Sequence, residues 1–188
     1  RRNTKNISNK DKTIGDKLMI KPFRRLGDMN ISEILEVFKN DITENDWLED
    51  INRSETFEVH KDTHMLKVLW DIDFTTEVGE KHQKNYNLFN FDKIIKTLTR
   101  IYNHHYEKGE IVRILFARLN PYCEIPPHID GGIALEKCHR THIPIITNEK
   151  NVFKVGIEVK HLKVGEIWEI DNTMQHAVRN NSEESRVH

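Results

Sequence analysis

Residues 110–132, EIVRILFARLNPYCEIPPHIDGG, read as one strand, a turn, and a second strand that ends in a pair of metal-binding residue types. From Glu110 to Leu119 apolar and longer polar residues alternate through Val112, Ile114, Phe116 and Arg118, the period of a strand with one buried face. The Asn120-Pro121 pair ends it. Pro126 and Pro127 offer no N–H to a ladder, so the segment they open is short or lies at a sheet edge. It carries His128-Ile129-Asp130. Side chains two apart on a strand share a face, so His128 and Asp130 can grip one ion while Ile129 turns the other way. Gly131-Gly132 then turns the chain at once.

Working outward, short strands continue to the end: His139 to Ile146, Val152 to Ile157, Glu166 to Ile170, Gln175 to Val178, and Arg186 onward, with an earlier one around Met65 to Ile72. Strands this dense with no helix between them imply a closed or double-sheet antiparallel architecture rather than βαβ units. The expected fold is mainly β with flanking helices, a jelly roll of the cupin-like, double-stranded β-helix kind. Asn30 and Glu33 stand at capping-box positions for a helix with an Ile31, Ile34, Leu35, Phe38 stripe. A longer helix starts near Asn90 and repeats Ile94, Ile95, Leu98, Ile101, Tyr102 and Tyr106 at helical spacing, with Gly109 placed to terminate it. Both helices are expected to buttress the sheet from outside.

The chain has 188 residues, enough for one domain with a core and too few for two comfortable ones. Residues 1–25 hold nine Lys or Arg against two acids and read as a basic, polar N-terminal arm, leaving 26–188 as a single domain with a helical N-terminal part. The net charge of −1 advertises neither nucleic acid nor a membrane surface. No apolar run approaches the ~20 residues of a bilayer crossing, and no signal-peptide pattern opens the chain. Two cysteines are too few for a secreted disulfide scaffold. These features point to a soluble, intracellular, cytoplasmic protein.

A third ligand completes the chemistry. His176, delivered by a strand and turn running Gly165-Glu166-Ile167-Trp168-Glu169-Ile170-Asp171-Asn172, makes a 2-His-1-carboxylate set with His128 and Asp130, which leaves coordination positions open on Fe(II) for a cosubstrate and O2. Arg186 follows ten residues later; its planar fork is suited to the free end of a dicarboxylate. Arg140 and His142 form a second period-two polar pair in an apolar strand, candidates to hold cosubstrate or substrate carboxylates. Trp168 is either a core aromatic or part of the same cofactor-binding wall. A Cys123, His128, Cys138, His142 zinc site has the wrong spacing for a finger and leaves Asp130 and His176 unexplained. His139 and the His104-His105 pair read as solvated.

The ordered series Pro-His-x-Asp, Arg-x-His-Ile-Pro-Ile, Gly-Glu-x-Trp, Asp-Asn, His-x-Val-x-Asn and Arg-Val-His, over roughly residues 112–188, resembles the aspartyl/asparaginyl β-hydroxylase family of Fe(II)- and 2-oxoglutarate-dependent dioxygenases. The resemblance implies a double-stranded β-helix with His128, Asp130 and His176 on iron and Arg186 on the distal carboxylate of 2-oxoglutarate, with His142 and Arg140 on a cosubstrate-contacting strand. It implies O2-dependent hydroxylation of an unactivated C–H of an amino acid, free or within a peptide, with succinate and CO2 as co-products. Asp130 departs from the branch that modifies folded domains, which carries a small residue there, and points to the branch that includes free-proline hydroxylases. The competing reading from a different class is a cupin-like small-molecule-binding module without catalysis. Oligomeric state is not legible in the sequence.

Overall fold

A computed structural model describes residues 21–49, 58–70, 77–107 and 109–188. In chain order these form β1 (Phe23–Asp28), α1 (Ser32–Asn40), α2 (Glu44–Leu48), a 3-10 turn (Glu58–His60), β2 (Thr63–Trp70), β3 (Glu80–Lys81), α3 (Gln83–Leu88), α4 (Phe91–Tyr102), β4 (Ile114–Leu119), β5 (Glu124–His128), α5 (Ile133–Lys137), β6 (Arg140–His142), β7 (Asn151–Val155), β8 (Glu158–Lys160), β9 (Glu166–Ile170), β10 (His176–Asn180) and β11 (Arg186–Val187). The architecture is mainly β with a few helices. Most of the basic arm, residues 1–20, lies outside the described residues. Phe23 to Arg25, at its far end, pair with β9.

The pairing is antiparallel throughout, in the orders β1-β9-β6, β11-β4-β2-β3 and β5-β10-β7-β8. A bridge between Ile146 and Val187 links the continuation of β6 to β11, with Val187 N–H donating to the Ile146 carbonyl at 2.8 Å. The first two sheets therefore run into one layer. Phe23, Leu119, Phe153, Val155, Leu162, Ile170 and Val178 form a buried cluster that joins strands of this layer to β7 and β10.

The helices cover the other face. Ile31, Ile34, Trp47, Leu66, Val68, Tyr86, Phe89, Phe91 and Phe116 pack as one core, and Phe116 meets Phe38, Phe89 and Phe91 with ring centroids at 4.9, 4.6 and 5.9 Å. Leu98 joins Leu26 and Ile167 in a smaller cluster that seats α4 on β1 and β9. The alternation read in residues 110–119 is the cause: Phe116 faces the helices, and Arg118 is buried under a two-pronged ion pair with Glu44. Gly165 fixes the entry to β9. Its φ is +77°, and a Cβ there would stand 2.7 Å from the Met29 carbonyl oxygen.

Five local expectations need correction. Asn30 accepts the Ser32 N–H at 2.9 Å as a turn, one residue ahead of the N-cap Ile31, and Glu33 pairs with Lys93 instead of closing a capping box. Leu35 of the expected stripe is partly exposed. Gly109 does not terminate α4, which ends at Tyr102 and continues as turns through Tyr106. Residues 152–157 are not one strand, because Gly156, at φ +57°, and Ile157 form the two-residue loop of a β7–β8 hairpin. A short helix, α5, follows Gly131-Gly132 where none was expected: Gly132, at φ +99°, turns the chain and its carbonyl accepts from Leu135 and Glu136.

Candidate metal centre

His128, Asp130 and His176 converge, with one donor atom from each lying within 4.8 Å of the others. Among the described residues no other group of three His, Cys, Asp or Glu does so, and the Cys123, His128, Cys138, His142 arrangement does not form. The register explains the convergence: His176, first residue of β10, stands opposite His128 at the end of edge strand β5 and opposite Val155 on its other side. The two imidazole centroids are 4.3 Å apart. Asp130 lies just past the end of β5 rather than on it, so the turn toward Gly131-Gly132, and not strand alternation, brings its carboxylate back.

Each imidazole is held the same way. His128 Nδ1 lies 2.8 Å from the Pro126 carbonyl oxygen and His176 Nδ1 lies 3.0 Å from that of Met174. A carbonyl only accepts, so both Nδ1 atoms carry a proton, and in the neutral ring each Nε2 presents a lone pair. Those Nε2 atoms sit 3.8 Å from Asp130 Oδ1 and Oδ2 respectively. Two imidazoles and one carboxylate, each His anchored through its far nitrogen, are a set of donors that could hold a mononuclear divalent metal. Arg140 forms an ion pair with Asp130 Oδ2. The structure thus puts Arg140 on the ligand carboxylate, where it offsets that group's charge and fixes its orientation.

A second polar group lies across Phe153, whose ring is 6.5 Å from that of His176 and 5.0 Å from that of His142. Arg186 is 4% exposed, and among the described residues no carboxylate lies within ion-pair distance of it. Its hydrogen-bond partner is His188, whose Nδ1 is 2.6 Å from Nη2. Burial pushes the guanidinium down to about 9, and burial together with the Arg186 charge pushes His188 well below the ordinary imidazole value. His142 closes the group, its ring 6.1 Å from that of His188. A buried cation without a counter-charge is costly, and the arrangement is suited to accept an anion. Trp168 stands opposite His142 across the β6–β9 ladder; its indole N–H donates to Glu166 at 2.9 Å and its ring packs edge-on against Phe23.

Four residues outside the sequence-based set hold this site. His60 packs its ring edge-on against His128, with centroids 5.5 Å apart. Asn180, 1% exposed, donates to the Asn120 and Glu184 carbonyls at 3.0 and 2.7 Å and accepts from Ser182 N and Oγ, which ties the end of β4 to the turn that delivers Arg186. On the outer face of β9, buried Glu169 pairs with His139, which is therefore not a merely solvated residue, and Arg24 lies 3.7 Å away. Tyr102 bonds Thr141 at 2.7 Å. Residues 139 and 141 are thereby pinned outside while 140 and 142 face in. Asn180 was legible only as part of the His-x-Val-x-Asn series, and His188 as part of Arg-Val-His; nothing in the sequence marked His60 or Glu169.

The sequence matches the aspartyl/asparaginyl beta-hydroxylase family over residues 32–188. The chain belongs to that family. This family member is a dioxygenase of the Fe(II)- and 2-oxoglutarate-dependent class. No curated protein matches the sequence. A crystal structure of an oxidoreductase of the 2OG-Fe(II) oxygenase family from Burkholderia pseudomallei is similar with a TM-score of 0.48 at 13% identity, over 85% of this chain and 87% of that one. Among the described residues no helix is long and apolar enough to cross a membrane.

Proposed function

We propose that this dioxygenase hydroxylates an unactivated C–H of an amino acid, free or as a residue in a peptide, with His128, Asp130 and His176 holding Fe(II) and Arg186 holding the distal carboxylate of 2-oxoglutarate. The observation that carries it is the pair of Nε2 lone pairs turned on the Asp130 carboxylate, with a buried, uncompensated arginine beyond Phe153. The strand pairing supports a double-stranded β-helix built from β4 to β11. In that reading β4, β11, the β6 continuation and β9 make one layer, and β5, β10, β7 and β8 the other.

When bound, iron and 2-oxoglutarate supply an O2-dependent oxidation in which one oxygen atom enters the new hydroxyl, the other enters succinate, and CO2 leaves. The protein's own residues do the rest. The Pro126 and Met174 carbonyls hold both imidazoles as neutral donors. Arg140 pairs with the Asp130 carboxylate and aims it. Arg186 would hold the distal carboxylate of the cosubstrate, and the Phe153 ring, 5.7 Å from its guanidinium, would line the space beside it.

The test is succinate release by purified protein given Fe(II), ascorbate, 2-oxoglutarate and O2, screened across amino acids, short peptides and nucleotides. Slow release alone, accelerated by one amino-acid class, supports the proposal. No release under any condition, or acceleration by nucleotides only, overturns it.

A further inference from the structure

We propose that His188 is a second anchor for the distal carboxylate of the cosubstrate, a neutral N–H donor preset by Arg186. This rests on the reading of Arg186 as the carboxylate anchor. A guanidinium only donates, so the 2.6 Å contact from Arg186 Nη2 makes His188 Nδ1 an acceptor. The ring proton is then on Nε2. That atom is shut off from solvent and, among the described residues, has no hydrogen-bond partner. An orphaned buried donor costs about 1–3 kcal/mol, so its presence beside a buried, uncompensated cation points to a ligand oxygen that completes both.

The surroundings agree. His188 is fixed in the ladder, its N–H donating to the Ala117 carbonyl at 3.1 Å and its carbonyl accepting from Ala117 at 2.9 Å, so the ring is held in place. Burial and the neighbouring guanidinium keep it neutral, which is the state that can accept from Arg186 on one nitrogen and donate from the other. Thr147, one residue past the Ile146–Val187 bridge and so beside Arg186 in the sheet, holds a second buried hydroxyl with no hydrogen-bond partner. A carboxylate has two oxygens and about four acceptor sites. The guanidinium fills part of that capacity and the imidazole N–H takes one more, which selects a planar two-oxygen group over a neutral chain end.

The experiment is binding calorimetry on the full chain loaded with Zn(II), which does not turn over, using 2-oxoglutarate and 2-oxopentanoate. The second acid has the same five-carbon chain and 2-oxo acid head without the distal carboxylate. His188→Ala should weaken 2-oxoglutarate about tenfold, the size expected for one hydrogen bond to a charged group, and leave 2-oxopentanoate unchanged. His188→Gln, which keeps an N–H in the same region, should lose less than the Ala variant; should His188→Ala fail to fold, the Gln variant carries the comparison. Equal weakening of both acids, or no weakening of 2-oxoglutarate, overturns the proposal. A wild-type protein that binds the two acids equally tightly instead overturns the assignment of Arg186, and this proposal falls with it.

Discussion

The two ends of the site solve opposite problems. At the metal end every polar group already has an orienting partner close by in the chain: each histidine reaches back two residues to a carbonyl, and the carboxylate is held by Arg140. At the Arg186 end orientation comes from far away, through the β4 ladder, the Ile146 bridge and the Asn180 turn, and the charge itself is left without a counter-ion. Local anchoring sets side-chain geometry cheaply; long-range anchoring lets the fold bury a cation that no carboxylate among the described residues offsets.

The largest expected effect lies at the metal end. His176→Ala should weaken metal binding by more than about a hundredfold, since loss of mere outer-shell support costs 10–100-fold, and should stop succinate release; Co(II) absorption would report the first. Retained binding would show that the three donors do not share an ion. Next is Arg186→Met, which should raise KM for 2-oxoglutarate by about a hundredfold or more while the denaturation midpoint holds or rises, because the buried uncompensated charge is gone. A large fall in stability would mean that the guanidinium is structural and would erase the contrast between the two ends.

Asn180→Ala comes third. Several buried hydrogen-bonding groups lose their partner, so stability should fall by about 2–3 kcal/mol, and KM for 2-oxoglutarate should rise more than metal affinity falls. Equal effects on both would mean that the two ends are not separately supported. Acid should also act away from both ends. Arg118 beside Glu44, Lys84 beside Asp46, the hydrogen bonds to Glu166, and His139 with Tyr106 around Glu169 hold these four carboxyls below their ordinary values. Their contribution is complete above the unfolded values of 4.5 for Glu and 3.8 for Asp and is lost as pH falls through the lower folded values. Urea unfolding between pH 7 and pH 3 should show stability decreasing, with Glu169→Gln flattening part of the slope.

The smallest effect belongs to His60. His60→Phe keeps an aromatic edge against His128 and should leave metal affinity within about twofold, whereas His60→Ala should lose a few-fold, in line with about 0.5–1.5 kcal/mol for such ring contacts. A loss in the Phe variant as large as in the Ala variant would show that the ring nitrogen, and not the packing, is what His128 needs.

What could be read from the chain divides along the same line. Strands β4, β5, β9, β10 and β11 follow from alternation, Pro and Gly, because those signals are local, and the three donors follow from residue type and order. Arg140 was recognised as a buried polar residue, but its partner Asp130 was not, since no spacing rule says which inward cation meets which carboxylate. The β7–β8 hairpin escaped because a Gly-Ile loop carries no strong turn signal. His60, His188 and the Glu169–His139 pair escaped because their roles arise only where separate strands meet.

Edge strand β5 also has a bearing on solubility. Pro126 and Pro127 have no N–H to offer a neighbouring chain, and the Pro126 carbonyl is already taken by the His128 imidazole. The margin of the sheet that bears His128 is thus a poor template for strand addition, so the residues that aim an imidazole also discourage edge-to-edge self-association at that margin.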